Sequence, residues 1–95
     1  MSWVSDYKPK AGGAVVQAAR VTKKNAEELT AWCAGTLVTT YDAIDFADKE
    51  GEVGINFEAK NGMERVSENE FLVKIDEHEF KRYAANHFLH LYESV

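Results

Sequence analysis

Apolar and polar positions alternate most clearly from Phe71 to Ile75, where Phe71, Val73 and Ile75 stand against Leu72 and Lys74, the two-residue period of a β-strand. Asp76-Glu77 is polar and turn-like, and Phe80 and Tyr83 restore the apolar content of a second strand. Residues 67–88 therefore read as a β-hairpin that leaves its second strand through a short helical turn at 84–88. A last edge strand is expected at 89–93, and the rest of the chain reads as material added to this hairpin.

Upstream the period changes. Ala26, Leu29, Trp32 and Cys33 follow i, i+3, i+4 spacing and predict one amphipathic helix over residues 22–34. Thr22 is a candidate N-cap, and Asn25 with Glu28 three residues on is a capping-box alternative. Gly35 supplies the left-handed residue that stops the helix. Val15, Val16 and Val21 place a strand at 14–21 before it, and the β-branched run from Thr36 places another at 36–41 after it. Val53, Ile55 and Phe57 alternate as a strand with one buried face. Asn61-Gly62 predicts a type I′ turn into a return strand at 63–66. Between them, residues 42–51 read as a loop whose Ile44 and Phe46 fold back on the core.

Residues 1–13 read as a flexible arm outside a single domain at 14–95, because Lys8-Pro9-Lys10 and Gly12-Gly13 interrupt any regular element. Trp3, Val4 and Tyr7 would let such an arm dock on the domain or on a second subunit. Together the elements predict an α+β fold. One helix from the N-terminal half packs on a curved, mainly antiparallel sheet of roughly five to seven short strands. The expected core is Val16, Leu29, Trp32, Cys33, Leu37, Val53, Ile55, Phe57, Phe71, Val73, Phe80 and Phe88. Such a sheet leaves edges, which a homodimer would pair.

Composition narrows the function classes. Ninety-five residues suffice for one core. The single cysteine, Cys33, excludes an internal disulfide framework and suits a reducing compartment. No apolar run approaches the roughly 20 residues that span a bilayer, and no secretory signal is visible, so a cytoplasmic protein without a membrane partner is expected. The net charge of −5 is uneven: residues 1–40 carry five basic and three acidic groups, whereas residues 41–95 carry six basic and thirteen acidic groups. The acidic half repels a phosphate backbone, which argues against nucleic-acid binding, and it can attract a basic protein partner.

Motifs for catalysis are sparse. His87 and His90 are three apart and would share one side of a helix, with His78, Glu77 and Glu79 as conceivable further ligands. Two imidazoles alone do not make a metal site, and on a strand they would face opposite ways. Cys33 lies on the apolar face of the helix near its C-terminal end, where the dipole disfavours a thiolate, so it reads as core. Asp42, Asp45, Asp48 and Glu50 lack the spacing of a calcium loop. Phosphate-binding, nucleophile-elbow and Cys-x-x-Cys motifs are absent from the sequence. The expectation is a protein that is not an enzyme and needs no cofactor or metal. Its candidate interaction residues are the aromatics Trp3, Tyr7, Phe46 and Tyr92 with the acidic Glu77 and Glu79.

Two stretches carry a resemblance. Arg20-Val-Thr-Lys-Lys-Asn-Ala-Glu-Glu-Leu-Thr-Ala-Trp-Cys-Ala-Gly35 is similar to a strand end, capped helix, Trp-Cys pair and glycine stop. Glu70-Phe-Leu-Val-Lys74, Glu79-Phe80, Phe88 and Tyr92-Glu93 are similar to the signature Asp-Tyr-Val-Val-Lys-Gly … Gly-Glu-Phe-Tyr-Pro-Cys-Lys-Pro-Asp-Ile-Phe … Tyr-Glu. Val53-Gly54-Ile55-Asn56 matches a middle strand. Together they span roughly residues 14–95 and resemble small accessory proteins of phages and prophages of actinobacteria. Ile75 and His78 stand where that group has glycines, and Arg82-Tyr83 where it has Pro-Cys. The resemblance implies an α+β accessory protein with no known catalytic residues, acting in the cytoplasm of the infected cell. The leading expectation is a phage-encoded, non-enzymatic protein that binds a host protein. The alternative is a small-ligand or nucleotide-binding protein, with a pocket between Trp32 and the sheet that holds Arg20, Arg65 or Lys74.

Overall fold

Phe71, Leu72 and Val73 are consecutive in one strand and all three are buried. Neighbouring side chains of a strand point to opposite faces, so this strand must be covered on both sides. The computed structural model, which describes residues 3–40 and 52–95, shows how. Its elements run β1 (Ser5–Pro9), β2 (Val16–Arg20), α1 (Ala26–Cys33), β3 (Thr36–Thr40), β4 (Glu52–Ala59), β5 (Gly62–Ser67), β6 (Phe71–Asp76), β7 (Glu79–Tyr83), α2 (Ala85–Leu91) and β8 (Tyr92–Ser94). They form an antiparallel five-stranded sheet in the order β7-β6-β2-β1-β8 and an antiparallel three-stranded sheet in the order β3-β4-β5. The fold is α+β, as the periodicity predicts, but the described residues hold eight strands in two sheets and a second helix.

The two faces of β6 build two cores. On one face Leu72 joins Ala19, Val21, Leu29, Cys33, Ile55, Phe57, Val66 and Phe80, so α1 and the three-stranded sheet pack on this side. On the other, Phe71 and Val73 join Val16, Ala18 and Phe88, which brings in α2. The register pairs Ala18 with Val73 and Ala19 with Leu72, so two adjacent small residues of β2 serve opposite cores. Rings dominate the second core: Phe88 stacks on Phe71 at 4.4 Å and on Tyr92 at 4.8 Å, and meets Tyr7 edge-on at 4.9 Å, geometries that aromatic quadrupoles favour.

Several sequence expectations are corrected. Within the stretch expected as an arm, Ser5–Pro9 is a strand of the five-stranded sheet, paired with β2 on one side and β8 on the other. The glycines, at φ +95 for Gly12 and +132 for Gly13, belong to the connection that turns β1 back into β2. Helix α1 begins at Ala26, not residue 22. Its N-cap Asn25 makes no side-chain capping bond. Instead the buried Asn25 side chain ties the approach: Nδ2 donates to the Arg20 carbonyl and Oδ1 accepts from Thr22 N–H, both at 2.8 Å. Ala34, not Gly35, adopts the left-handed conformation that ends the helix, at φ 55.

Leu37, expected in the core, is 38% exposed because β3 is an edge strand, and Trp32 and Val53 are only half-buried. Ala59 pairs with Gly62 across Lys60-Asn61, and only Gly62 has positive φ, so the predicted Asn61-Gly62 turn is displaced by one residue. The helical turn expected at 84–88 is the full α2, and β8 follows it. Ile44 and Phe46 lie outside the described residues. Among the described residues no helix is long and apolar enough to cross a membrane.

Candidate functional site

A concave surface runs between the tips of two hairpins. One depression of about 540 Å³ is lined by Trp32, Cys33 and Ala34 from the end of α1, Glu58 and Ala59 from β4, Lys60, Glu77 and His78 from turns, and Phe80 from β7. A second, about 590 Å³, shares Ala59 and Lys60 and adds Asn61, Glu64, Lys81, Arg82 and Tyr83. The two make one open groove with Lys60 at its middle.

Local structure explains why these side chains meet. Trp32 closes the last turn of α1, and its ring meets Phe80 edge-on at 5.0 Å. That contact anchors the first depression on the same core that buries Leu29 and Cys33. Asp76 Oδ1 accepts the His78 N–H at 2.8 Å. This Asx-type bond shapes the tight β6–β7 turn that carries Glu77 and His78 to the rim. Arg82 reaches Glu70 at 3.1 Å and Glu64 at 3.8 Å, which links the edges of the two sheets. Charge is mixed along the groove: Glu58 and Glu77 stand with Lys60 at the aromatic end, and Lys81 and Arg82 with Glu64 at the far end.

The thiol of Cys33, beside the first depression, is poorly suited to nucleophilic chemistry. Burial pushes it above its ordinary value, and backbone hydrogen bonds only partly oppose this. A thiol in that state is mostly protonated at neutral pH. Tyr92 is likewise raised, by burial first and by its neighbour Tyr83 next. His87 and His90 both lie on the exposed side of α2, with His87 against the Tyr83 ring at 5.6 Å. Among the described residues no three His, Cys, Asp or Glu side chains are placed to hold a metal ion.

Among the described residues, the sequence-derived interaction residues do not line one surface. Glu77 lines the groove. Glu79 is half-buried and faces Lys81 at 3.7 Å. Tyr7 and Tyr92 are half-buried and pack against the second core, in contact with Phe88, so part of each ring holds the fold. Trp3 is exposed, and Phe46 lies outside the described residues. Arg20, Arg65 and Lys74 do not line the pocket beside Trp32: Arg20 bonds the Asn69 carbonyl and sits over the Phe71 ring, and Arg65 bonds Asn56. The groove's own cations, Lys60, Lys81 and Arg82, had a signal in the sequence. They are three of only six basic residues in an acidic stretch of 55 residues, and Tyr83 follows the last two. A comparison with family models, with curated proteins and with solved structures finds no match to this chain.

Proposed function

We propose that the chain is a phage-encoded accessory protein that acts without catalysis, by binding a host protein in the cytoplasm of the infected cell. The observation that carries the binding reading is the composition of the groove. Trp32, Tyr83 and Arg82 are the residue types that dominate the energetics of protein interfaces, and here they stand on helix and strand positions along one open channel. Held on such elements, they lose little conformational freedom on binding. The charges of both signs along the channel offer complementary pairs to a partner segment, which favours specificity over raw affinity. The phage origin rests on the resemblance of residues 20–35 and 70–93.

The test is affinity purification of the tagged chain from an actinobacterial lysate, with mass spectrometry and sizing of what co-elutes. The expected result is one host protein in stoichiometric amount, lost with Lys81→Glu and Arg82→Glu together and kept with Trp3→Ala. Recovery of chaperones alone, or capture indifferent to the groove, would count against the reading. A small-ligand reading has one observation in its favour: the Trp32–Phe80 depression lies within the volume range of small-molecule sites. Quenching of Trp32 fluorescence in a metabolite screen would support that reading.

A further inference from the structure

We propose that two copies of this chain pair through the outer edge of β3, with their Thr36–Thr40 strands antiparallel about a two-fold axis at Val38. This goes beyond the host-binding reading and does not depend on it. The described residues present four sheet edges: β7, β8, β3 and β5. Edge strands invite pairing, and proteins blunt them with charge or proline. Three of the four follow that rule, with Glu79, Lys81 and Arg82 on β7, Glu93 on β8, and Glu64 and Arg65 on β5. The fourth, Thr-Leu-Val-Thr-Thr, has neither charge nor proline. Among the described residues no backbone group bonds to its outer side.

Leu37 supplies a second observation. It pairs with Ile55, so the two side chains share the core face of the sheet. Ile55 is fully buried while Leu37 is 38% exposed, because the sheet ends there. A further strand on this edge would complete the burial.

Charge and register select a second copy as that strand. The chain carries −5 overall, so two copies repel through most of their surfaces and approach most easily along a neutral edge. With the axis at Val38, Thr36 faces Thr40 of the second copy, Leu37 faces its Thr39, and Val38 faces its Val38. No charge meets a like charge. The two Leu37 side chains become diagonal neighbours, close enough for long side chains to touch, and each covers the exposed flank of the other. The product is a continuous six-stranded sheet, β5-β4-β3 followed by its symmetry mate, closed by an isologous interface.

Sedimentation velocity of the full chain tests this. A species of twice the 10.7 kDa chain mass is expected to grow with concentration. Val38→Lys and Val38→Glu each put like charges at the axis, so each should weaken association by at least about tenfold. Mixing the two variants should restore a dimer, which misfolded chains would not do. Val38 lies half-buried on the face opposite Leu37, where a long side chain can reach water. A chain that stays monomeric at about 0.5 mM, a dimer indifferent to both substitutions, or a mixture that fails to re-associate would each overturn the proposal.

Discussion

Ala34 and Gly35 divide between them two tasks that a helix terminus usually gives to one glycine. The Gly35 N–H bonds the Thr30 carbonyl and the Ala34 N–H bonds that of Ala31, the pairing of a Schellman motif. Its left-handed position is filled by Ala34 at φ 55. Gly35 is needed for another reason: a Cβ there would stand 2.4 Å from the Asn56 carbonyl oxygen and 2.9 Å from Ile55 Cγ2. Opposite effects follow. Ala34→Gly relieves the left-handed cost and should raise the unfolding free energy by about 0.5–1 kcal/mol. Gly35→Ala forces β4 away from α1 and should lower it by about 1–3 kcal/mol. Urea denaturation of both variants checks this, and equal losses at the two sites would sink the assignment. Cys33, immediately before Ala34, gives a dependence on pH. Its thiol is raised in the folded state, so at alkaline pH the folded chain holds a proton that the unfolded chain has released. The contribution is constant at neutral pH and is lost as pH climbs past the ordinary thiol value. Tyr92, raised as well, adds a loss of the same sign at higher pH. Urea midpoints should fall between about pH 8 and pH 10, and less steeply in Cys33→Ala; a flat profile would refute the burial argument.

Strand β1 shows where periodicity stops being informative. Ser5, Tyr7 and Pro9 share a face, but only Tyr7 is a large apolar residue, so the two-residue alternation that exposes β4 and β6 is missing. The breakers around it are genuine, and they mark the loop of a hairpin. Pro9 sits at the last position of the strand, opposite Tyr92, and the glycines make the bend. What holds β1 in place is non-local: the Tyr7 ring against Phe71 at 6.0 Å and Phe88 at 4.9 Å. No local pattern contains that contact. Tyr7→Ala should therefore cost about 1–3 kcal/mol, and amides paired across β1 and β2 should exchange slowly with solvent. A free arm would give neither result. The same reasoning explains the site. Trp32, Lys60 and Arg82 lie far apart in sequence, and Lys60 lines one depression with Trp32 and the other with Arg82 because α1 and the β4–β5 and β6–β7 hairpins pack together. The sequence named their types and the acidic background around the cations, but not their neighbourhood. Glu77 is legible as a hairpin tip, whereas the half-burial of Tyr7 and Tyr92 is not, because an aromatic near a terminus carries no mark of burial.

At the scale of the whole molecule, β6 is the wall between two cores, and everything else is arranged by which side of it is covered. Leu72 faces α1 and the three-stranded sheet, and Phe71 and Val73 face α2 and the rings around Phe88. Each cluster is small, and small cores are marginal alone. Their shared strand gives them a common fate, since losing one side exposes half of a strand whose residues are all buried at its start. Phe88→Leu tests this coupling from the far side. Phe88 is fully buried and belongs to the second core, so the substitution should cost about 1–2 kcal/mol by lost ring contacts. Trp32 packs against the first core, and in a Trp3→Phe background it reports on that side alone. If β6 couples the two, the Trp32 fluorescence midpoint in urea falls by the same amount as the midpoint from far-ultraviolet circular dichroism, as two-state unfolding requires. A Trp32 transition that stays in place while the dichroism midpoint drops would mean that the cores melt separately. The depression beside Trp32, which rests on the first core through Trp32 and Phe80, would then survive loss of the second, whereas the Tyr83 end of the groove, packed on the second core, would not.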